Sequence, residues 1–293
     1  MRALITGVTG QDGSYLAEHL TTQGYDVFGM VRGHDNPKAD WVKTLVPDIT
    51  LIAGDLTDPM SLHAAVRYAQ PDEVYNLGAI SAPSQAWGQP FLTADVTGLG
   101  PLRLFDAVQR YAPDARVVQA SSIALHGPYG AAKGYAHAIA GDYRQRGLAV
   151  SCAVFGGHHS PRRGKSFFSR KVTRAAARIA AGLDTHVVLG ALTRVQDWGW
   201  ADDFVTTLPM IAALEPDNYT VSAGTPHGVQ EWVEVAFSAV GLDWHDHVKI
   251  DDTFGNLTDV ATLHAQPDPR LPWTPRQDFA ELAAWMVAEG GTE

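Results

Sequence analysis

Tyr129 and Lys133 are four positions apart, and this spacing places two side chains on one face of a helix. A lysine ammonium beside a tyrosine lowers the pKa of the phenol, so the tyrosine can act as base and acid during hydride transfer. Ser121 and Ser122 lie shortly before this pair, at the end of a predicted strand. We therefore predict an oxidoreduction site with Ser122, Tyr129 and Lys133 as catalytic residues.

A glycine-rich turn near the N-terminus is typical of a loop that binds a dinucleotide. It has the pattern G-x-x-G-x-x-G between an apolar strand and a helix that begins near Tyr15. Glycine permits a tight turn and lets the N–H groups of a helix N-terminus approach a pyrophosphate. The predicted cofactor-binding residues of this loop are Gly7, Thr9, Gly10, Gln11, Asp12 and Gly13, and Tyr129 and Lys133 are also predicted to contact the cofactor.

The residue after the second predicted strand bears on the choice between NAD and NADP. An acidic residue there would accept a hydrogen bond from the ribose 2′-hydroxyl of NAD. This chain has Arg32 instead, and a guanidinium suits the 2′-phosphate of NADP. We therefore favour NADP and keep NAD as the alternative; a surface arginine without a ligand is the other interpretation.

Strands and helices alternate through the first half of the chain, which predicts βαβ units and a parallel sheet. The expected fold is α/β, a Rossmann-type doubly wound sheet of six strands with a ligand cleft at their carboxyl ends. The chain returns to the sheet through a helix at Asp203–Leu214 and a strand at Tyr219–Val221. Further predicted strands are Ala3–Ile5, Val27–Val31, Glu73–Leu77, Ala115–Ala120 and Val150–Phe155, and further predicted helices are Met60–Ala69, Val96–Tyr111 and Tyr129–Gln145.

The alternation weakens past Gly157, where proline, tryptophan and histidine become more frequent. We predict a dinucleotide-binding domain at residues 1–156, to which the chain returns near residues 200–223. Residues 157–293 are then a smaller, C-terminal substrate-binding lobe.

Composition excludes several classes of partner. The formal charge of −10, from 22 Lys and Arg against 32 Asp and Glu, gives no electrostatic reason to bind nucleic acid or an anionic membrane. No run of 18 apolar residues and no apolar export signal is present, so we expect a cytoplasmic protein that does not span a membrane. The single cysteine, Cys152, has apolar neighbours and is predicted to be a buried thiol. The histidines of His158–His159 and Trp244–His247 lack accompanying ligands, so no metal site is predicted.

Taken together, these motifs resemble those of the extended short-chain dehydrogenases/reductases, and most closely those of the GDP-mannose 4,6-dehydratase family. The similarity covers nearly the whole chain. The stretches that carry it are Ala3–Ala17, Gly54–Asp58, Gln70–Ala79, Thr93–Val96, Ser160–Gly164 and Asp197–Gly199.

The resemblance implies a reaction and further site residues. In that family the sugar C4 is oxidised by hydride transfer, water is eliminated across C5 and C6, and the hydride returns to C6. Tyr129 would be the C4 base supported by Lys133, and Ser122 stands where the family has a catalytic threonine. The cofactor contacts implied by the resemblance are Asp55 and Leu56 beside the adenine, Leu77, Gly78, Ala79 and Ser81 along the cofactor, and His158 and Arg163.

One departure from the family affects the elimination step. The family motif Thr-Ser-Glu-Leu-Tyr-Gly, whose glutamate removes the C5 proton, is replaced here by Ser122–Gly127, with Ala124 at the position of the acid. A stretch that the family has before the catalytic tyrosine is also missing. General acid/base catalysis contributes about 10²–10⁴-fold in rate, so the family elimination cannot run unchanged. His126 is our candidate for the missing group; the alternative is a histidine that only packs in the shortened loop.

A second departure affects the positions where the family holds the substrate diphosphate. Gly157 replaces an asparagine, Gln196 replaces the arginine before Asp-Trp-Gly, and an Arg-Pro pair is replaced within Phe254–Val260. Because bidentate arginine contacts are a main source of phosphate affinity, we predict a substrate with less phosphate or a rearranged site. Drift without functional consequence is the alternative.

We predict an NAD(P)-dependent enzyme that transiently oxidises a sugar hydroxyl of a nucleotide sugar or nucleoside, with elimination of water as the first choice of outcome. Epimerisation or keto-reduction is the alternative, since it needs Tyr129 and Lys133 but not the missing acid. A non-catalytic protein that binds the cofactor is the second alternative. We also expect a homo-oligomer.

Overall fold

A computed structural model describes residues 1–33, 36–251 and 262–289, with residues 83 and 84 described by their backbone alone. The strands are β1 (Arg2–Thr6), β2 (Asp26–Val31), β3 (Thr50–Ala53), β4 (Glu73–Asn76), β5 (Arg116–Ser122), β6 (Val150–Phe155), β7 (His158–His159), β8 (Val187–Leu189), β9 (Val195–Asp197), β10 (Gly199–Trp200), β11 (Asn218–Val221), β12 (Pro226–Gly228), β13 (Val248–Ile250) and β14 (Thr262–Leu263).

The α-helices are α1 (Gln11–Thr22), α2 (Pro37–Leu45), α3 (Pro59–Ala69), α4 (Pro83–Gly88), α5 (Pro90–Thr93), α6 (Gly100–Tyr111), α7 (Gly127–Gln145), α8 (Phe168–Ala180), α9 (Ala201–Phe204), α10 (Thr207–Ala213), α11 (Val229–Ser238) and α12 (Phe279–Ala288). A π-helical segment, Ala94–Leu99, leads into α6, and a 3₁₀ turn covers Trp244–Asp246. No helix in the described part of the chain has both the length and the apolar character needed to cross a bilayer.

Seven of the described strands form one parallel sheet in the order β11-β6-β5-β4-β1-β2-β3. The strand order reverses between β1 and β4, which is where doubly wound sheets bind their ligands at the carboxyl ends. The predicted α/β doubly wound fold is therefore confirmed, with β11 as its seventh strand.

Apolar rows across the sheet explain its stability. Leu4, Val74, Val117 and Val150 are register partners on β1, β4, β5 and β6, and all four are almost completely buried. They pack with side chains of α3, α6 and α7 in one hydrophobic core. Such continuous apolar strands are expected where helices cover both faces of a parallel sheet.

Two predicted helices were wrong in their extent, and proline explains both. The predicted helix Val96–Tyr111 is a π-helical segment followed by α6, because Pro101 has no N–H to donate to the preceding turn. The predicted helix Asp203–Leu214 is two helices, α9 and α10, because Pro209 is accommodated in the first turn of a new helix but not in a helix interior.

The contacts divide the chain into two compact units. Unit 1 comprises Met1–Phe155, Val205–Val221 and Asp268–Trp273, and unit 2 comprises Gly156–Phe204, Ser222–Pro267 and Thr274–Glu293. Unit 1 contains the parallel sheet, and Cys152 is fully buried in it, with its thiol pKa raised to about 11 by burial. The core of unit 2 is aromatic: the Trp198 and Trp232 rings stack with centroids 4.4 Å apart.

Candidate active site

Helix α7 carries the predicted Tyr129 and Lys133 on one face, as their spacing indicated. The Lys133 Nζ atom lies 5.9 Å from the centre of the Tyr129 ring and donates a hydrogen bond of 2.7 Å to the Ala120 carbonyl oxygen on β5. Lys133 is 4% exposed, and burial lowers its pKa from 10.5 to about 8, although the Asp12 carboxylate opposes that shift. An ammonium with a pKa near neutrality is suited to support proton transfer at a tyrosine.

Ser122 is the last residue of β5, and the loop to α7 begins with a turn that its side chain stabilises. Its Oγ atom accepts a hydrogen bond of 3.0 Å from the Ala124 backbone N–H. Ser122 and Tyr129 are thus held at the carboxyl end of β5 and in the first turn of α7, seven residues apart in sequence. The half-buried Ala124 supplies only a methyl group to this loop.

The loop between Ser122 and α7 folds back tightly on the helix, and two glycines permit it. Gly127 has a φ of +68°, and a side chain there would meet the Trp87 indole at 3.1 Å. A Cβ atom on Gly130 would overlap the Leu125 backbone. The His126 carbonyl accepts a hydrogen bond from the Gly130 N–H, and the His126 side chain is exposed.

The glycine-rich loop follows β1 and leads into α1. Gly7 has a φ of +70°, and a Cβ atom on it would lie 2.7 Å from the Gly78 nitrogen, while one on Gly13 would overlap the Gly7 carbonyl. Packing within the protein therefore requires both of these glycines. A Cβ atom on Gly10 would meet only the Gly7 oxygen, at 3.1 Å, so the absent side chain there leaves the N-terminus of α1 open. Gly10 is the N-cap and makes no side-chain cap hydrogen bond. This cradle suits a pyrophosphate.

The remaining cofactor residues predicted in unit 1 follow other strands at the same edge of the sheet. Arg32 follows β2 and is exposed, and Asp55 follows β3 and accepts two hydrogen bonds of 2.8 Å from Thr57 through its Oδ1 atom. Leu56 is buried, with its side chain beside Gly78. Because the strands are parallel, the segments that follow them meet at one edge. After β4 come Leu77, Gly78 and Ala79, which are half-buried, and Ser81, which is exposed. In the glycine-rich loop, Thr9, Gln11 and Asp12 are half-buried.

His158 and Arg163 lie in unit 2 and form one cluster there. The Arg163 Nη1 atom donates a hydrogen bond of 2.6 Å to the His158 carbonyl oxygen, and its guanidinium covers the Phe167 ring at 4.2 Å. The His158 ring donates from Nδ1 to the Gly156 carbonyl at 2.9 Å and stacks on Phe204. Among the residues that the structure describes, no group of three or more potential metal ligands occurs.

The departure at Gly157 is built into the fold of unit 2. Asp197 is fully buried; its Oδ2 atom accepts hydrogen bonds from the Ser222 hydroxyl at 2.6 Å and from the Ala265 N–H at 3.3 Å, and burial raises its pKa. A Cβ atom on Gly157 would overlap the Asp197 carbonyl oxygen. This backbone therefore has no space for the family asparagine. The half-buried Gln196 lies on β9, and Phe254–Val260 falls outside the described residues.

The structure also shows a polar row that sequence reasoning missed. Thr6, Asn76 and Gln119 are register partners on β1, β4 and β5, two residues beyond the apolar row described above, and each is at most 2% exposed. The Thr6 hydroxyl donates to Asn76 Oδ1, and Asn76 Nδ2 donates to Gln119 Oε1, both at 2.6 Å. Gln119 Nε2 then donates to the Ala120 oxygen at 2.8 Å. The available signal was one polar residue near the end of each of three apolar strands.

Comparisons with known proteins agree on one family. A family model described as GDP-mannose 4,6 dehydratase matches residues 4–286. The chain is 37% identical to GDP-mannose 4,6 dehydratase 1 of Arabidopsis thaliana, over 98% of this chain and 89% of the relative. It is 35% identical to the GDP-mannose 4,6 dehydratase of Homo sapiens, over 97% of this chain and 90% of the relative. The Arabidopsis alignment runs over 320 positions, more than the 293 residues of this chain, so part of the relative has no counterpart here.

Solved structures share the fold. The complex of Thermus thermophilus UDP-glucose 4-epimerase with NAD superposes with a TM-score of 0.85 at 22% identity, covering 99% of both chains. The dTDP-glucose 4,6-dehydratase of Streptomyces venezuelae with NAD superposes with a TM-score of 0.83 at 18% identity, covering 99% of this chain and 96% of that one.

Proposed function

Because this chain belongs to the GDP-mannose 4,6-dehydratase family, within the extended short-chain dehydrogenases/reductases, we propose that Tyr129, Lys133 and Ser122 oxidise a sugar hydroxyl transiently. The protein is an NAD(P)-dependent enzyme of the nucleotide-sugar dehydratase/epimerase type. The observation that carries the proposed roles is the buried Lys133 ammonium beside the Tyr129 ring. It stabilises negative charge on the Tyr129 oxygen, which then takes the proton of the sugar hydroxyl. Ser122 donates a hydrogen bond to the same sugar oxygen.

We propose that the cofactor is NADP. Gly10 and the N-terminus of α1 would hold its pyrophosphate, Asp55 and Leu56 would flank its adenine, and the exposed Arg32 guanidinium would pair with a 2′-phosphate. Leu77–Ser81, His158 and Arg163 complete the proposed contacts. When bound, the nicotinamide accepts a hydride and can return it.

The net reaction that we propose first is elimination of water from the oxidised sugar. The family acid is absent at Ala124, so another group must take the C5 proton, and the exposed His126 at the start of α7 is our candidate. The methyl group at Ala124 is also the specific observation that favours the alternative, epimerisation or keto-reduction, because these reactions need Tyr129 and Lys133 but not the missing acid. A non-catalytic role is disfavoured because a buried lysine near a tyrosine is costly to maintain without chemistry.

We propose that unit 1 binds the dinucleotide and unit 2 holds the substrate. A nucleoside or a singly phosphorylated sugar would suit the altered positions Gly157 and Gln196 better than a sugar with a full diphosphate. We further propose a homo-oligomer in the cytoplasm. Phe91 is 90% exposed and Leu92 and Leu99 are also exposed, so a second copy covering them would remove apolar surface from water.

A two-stage experiment tests this function. A thermal-shift screen of nucleotide sugars and bare nucleosides, with NADP or NAD present, identifies what binds, since a ligand at 100-fold its dissociation constant adds about 2.7 kcal/mol of stability. Each binder is then incubated with the enzyme and its products are followed by mass spectrometry. A product lighter than the substrate by about 18 mass units has lost one water and would indicate elimination. A product of unchanged mass would indicate epimerisation. If no ligand that binds is ever oxidised, the enzymatic proposal is wrong.

A further inference from the structure

A line of hydrogen bonds, buried from Thr6 onwards, connects the segment that follows β4 to Lys133. It begins at the Gly78 N–H, which donates to Thr6 Oγ1 at 3.0 Å, and continues through Asn76 and Gln119 to the Ala120 carbonyl oxygen. Every donor in this line points the same way, towards Ala120. The Lys133 ammonium donates to that same oxygen.

We propose that Gln119 is a positioning residue for Lys133: its carboxamide fixes the Ala120 carbonyl that receives the lysine ammonium and turns an N–H dipole towards that ammonium. The proposal rests on the catalytic role proposed above for Lys133. Gln119 does not touch the reacting atoms; it acts through the Ala120 oxygen.

Two hydrogen bonds fix the orientation of the Gln119 carboxamide. Its Oε1 atom is occupied by Asn76 Nδ2, so its Nε2 atom must face the Ala120 oxygen. The Gln119 Nε2 and Lys133 Nζ atoms therefore lie no farther apart than the sum of their two hydrogen bonds to that oxygen, 2.8 and 2.7 Å. The Gln119 carboxamide satisfies two buried partners, since Oε1 accepts from Asn76 Nδ2 and Nε2 donates to the Ala120 oxygen. An apolar residue in its place would leave the Asn76 donor unpaired.

The electrostatic surroundings of Lys133 make it sensitive to this neighbour. The titratable groups that face it are the Asp12 carboxyl on α1, the Cys152 thiol on β6 and the Tyr129 phenol on its own helix. Cys152 is also the register partner of Gln119 on β6. The partial positive charge of the Gln119 N–H group opposes the charged form of the lysine, whereas a carboxylate in its place would favour that form.

Two substitutions at position 119 form an ordered electrostatic series. Gln119→Met removes the N–H dipole at similar size, and Gln119→Glu replaces it with a negative charge. The pKa of Lys133 should rise in the order wild type, Gln119→Met, Gln119→Glu, with a rise of about one pH unit in the glutamate variant. Gln145→Glu is the control, because it adds the same charge at the exposed end of α7.

The titration can be read without any enzymatic activity. The chain has only six lysines, Lys38, Lys43, Lys133, Lys165, Lys171 and Lys249, so the ¹³Cε signals of lysine-labelled protein are few. The signal that disappears in Lys133→Arg identifies Lys133, and its chemical shift is followed against pH. The alkaline limb of the pH profile for hydride transfer should move in the same order as the Lys133 titration.

Each result decides the matter. Support requires a higher Lys133 midpoint in Gln119→Glu than in Gln119→Met, with the control equal to the wild type. Equal midpoints in all four proteins, or the same rise in the control, would overturn the positioning role. If the glutamate variant does not fold, an unchanged midpoint in Gln119→Met overturns it. If the wild type transfers no hydride to any substrate, the proposed function fails, and the lysine titration still decides the role of Gln119.

Discussion

Lys133 reaches back from the second turn of α7 to the Ala120 carbonyl at 2.7 Å, and so ties the helix to β5, the strand that precedes it. The same helix carries Tyr129 one turn earlier, with its ring centre 5.9 Å from the lysine nitrogen. The strand and the short loop therefore determine where the phenol can meet a substrate. Substitutions of the tyrosine and of the lysine should have separable effects, the first on proton transfer and the second also on stability.

Tyr129→Phe removes the oxygen that moves the proton and keeps the ring. We expect turnover of the best substrate to fall by about 10²-fold or more, because general base catalysis is lost, while cofactor affinity stays within about twofold. Steady-state kinetics and cofactor titration measure the two quantities. Tyr135→Phe is the control, since Tyr135 is an exposed tyrosine on the same helix. Near-normal turnover would mean that Tyr129 is not the active tyrosine.

Lys133→Met tests the energetic cost of the buried ammonium. Burial lowers the pKa of Lys133 from 10.5 to about 8, so between these pH values the unfolded chain binds more protons than the folded one. The free energy of unfolding of the wild type should therefore rise with pH across this window through this group. The methionine variant should be more stable at pH 7 by roughly 1–3 kcal/mol, and its advantage should shrink towards pH 10.

Urea denaturation at a series of pH values, read by circular dichroism, measures this difference. Lys171→Met is the comparison variant, because Lys171 lies on α8 of unit 2 and is only half-buried. A constant gap between wild type and Lys133→Met at all pH values would show that Lys133 is not buried in its charged form.

The sequence predicted the parts of the site whose chemistry is local. The glycine motif, the four-residue spacing of Tyr129 and Lys133 and the alternation of strands and helices each depend on neighbouring residues, and the fold and family that they indicated are confirmed. The line from Thr6 to Gln119 depends on strand register between residues about 40 to 70 positions apart. No local pattern reports register, so the pairing of these polar residues in one line could not be predicted from their positions near the strand ends.

The packing of Gly157 likewise depends on a residue that is distant in sequence. Its sequence neighbours give no sign that it packs on the Asp197 carbonyl, 40 residues later. From the sequence alone, glycine in place of the family asparagine could therefore be interpreted as a functional change or as neutral drift. The contact adds a third interpretation, in which the backbone at Gly157 differs from that of the family because the residue differs.

Arg32→Ala tests the choice of cofactor. If the Arg32 guanidinium pairs with a 2′-phosphate, its loss should weaken NADP binding by tenfold or more, about 1.4 kcal/mol, and leave NAD binding nearly unchanged. Calorimetric titration with both cofactors measures the ratio. Arg67→Ala removes another exposed arginine of unit 1 and should leave both affinities unaltered. An equal loss for NAD and NADP would rule out the NADP assignment.

Gly157→Asn and Gln196→Arg restore two family residues, and we expect only the first to lower the free energy of unfolding. The asparagine Cβ atom would overlap the Asp197 carbonyl oxygen, so Gly157→Asn should lower the free energy of unfolding by about 1–3 kcal/mol. Gln196 is half-buried on β9, and an arginine there can extend its head to water, so Gln196→Arg should stay within about 0.5 kcal/mol of the wild type. Thermal and urea unfolding compare the two. A fully stable Gly157→Asn variant would contradict the close packing at Asp197.

The wild-type enzyme should convert GDP-mannose to a 4-keto-6-deoxy product negligibly. Ala124 cannot abstract the C5 proton, and Gly157 and Gln196 cannot hold a diphosphate as the family residues do. The first change removes stabilisation of the transition state, and the second weakens binding of substrate and transition state alike. Because the two deficits are independent, Ala124→Glu alone should restore little activity, whereas Ala124→Glu combined with Gln196→Arg should restore more. A nucleoside or singly phosphorylated sugar should be a better substrate than GDP-mannose for the wild type.

Incubation of GDP-mannose and NADP with each variant, followed by mass spectrometry of the products, measures these differences. Tyr129→Phe in the double-variant background serves as the control, since any restored product must still depend on the tyrosine. Efficient dehydration by the unmodified chain would instead show that another residue has replaced the lost carboxylate. In that case His126→Gln should abolish the product, because His126 is the titratable side chain nearest in sequence to Ala124 and a neutral amide cannot take up the C5 proton.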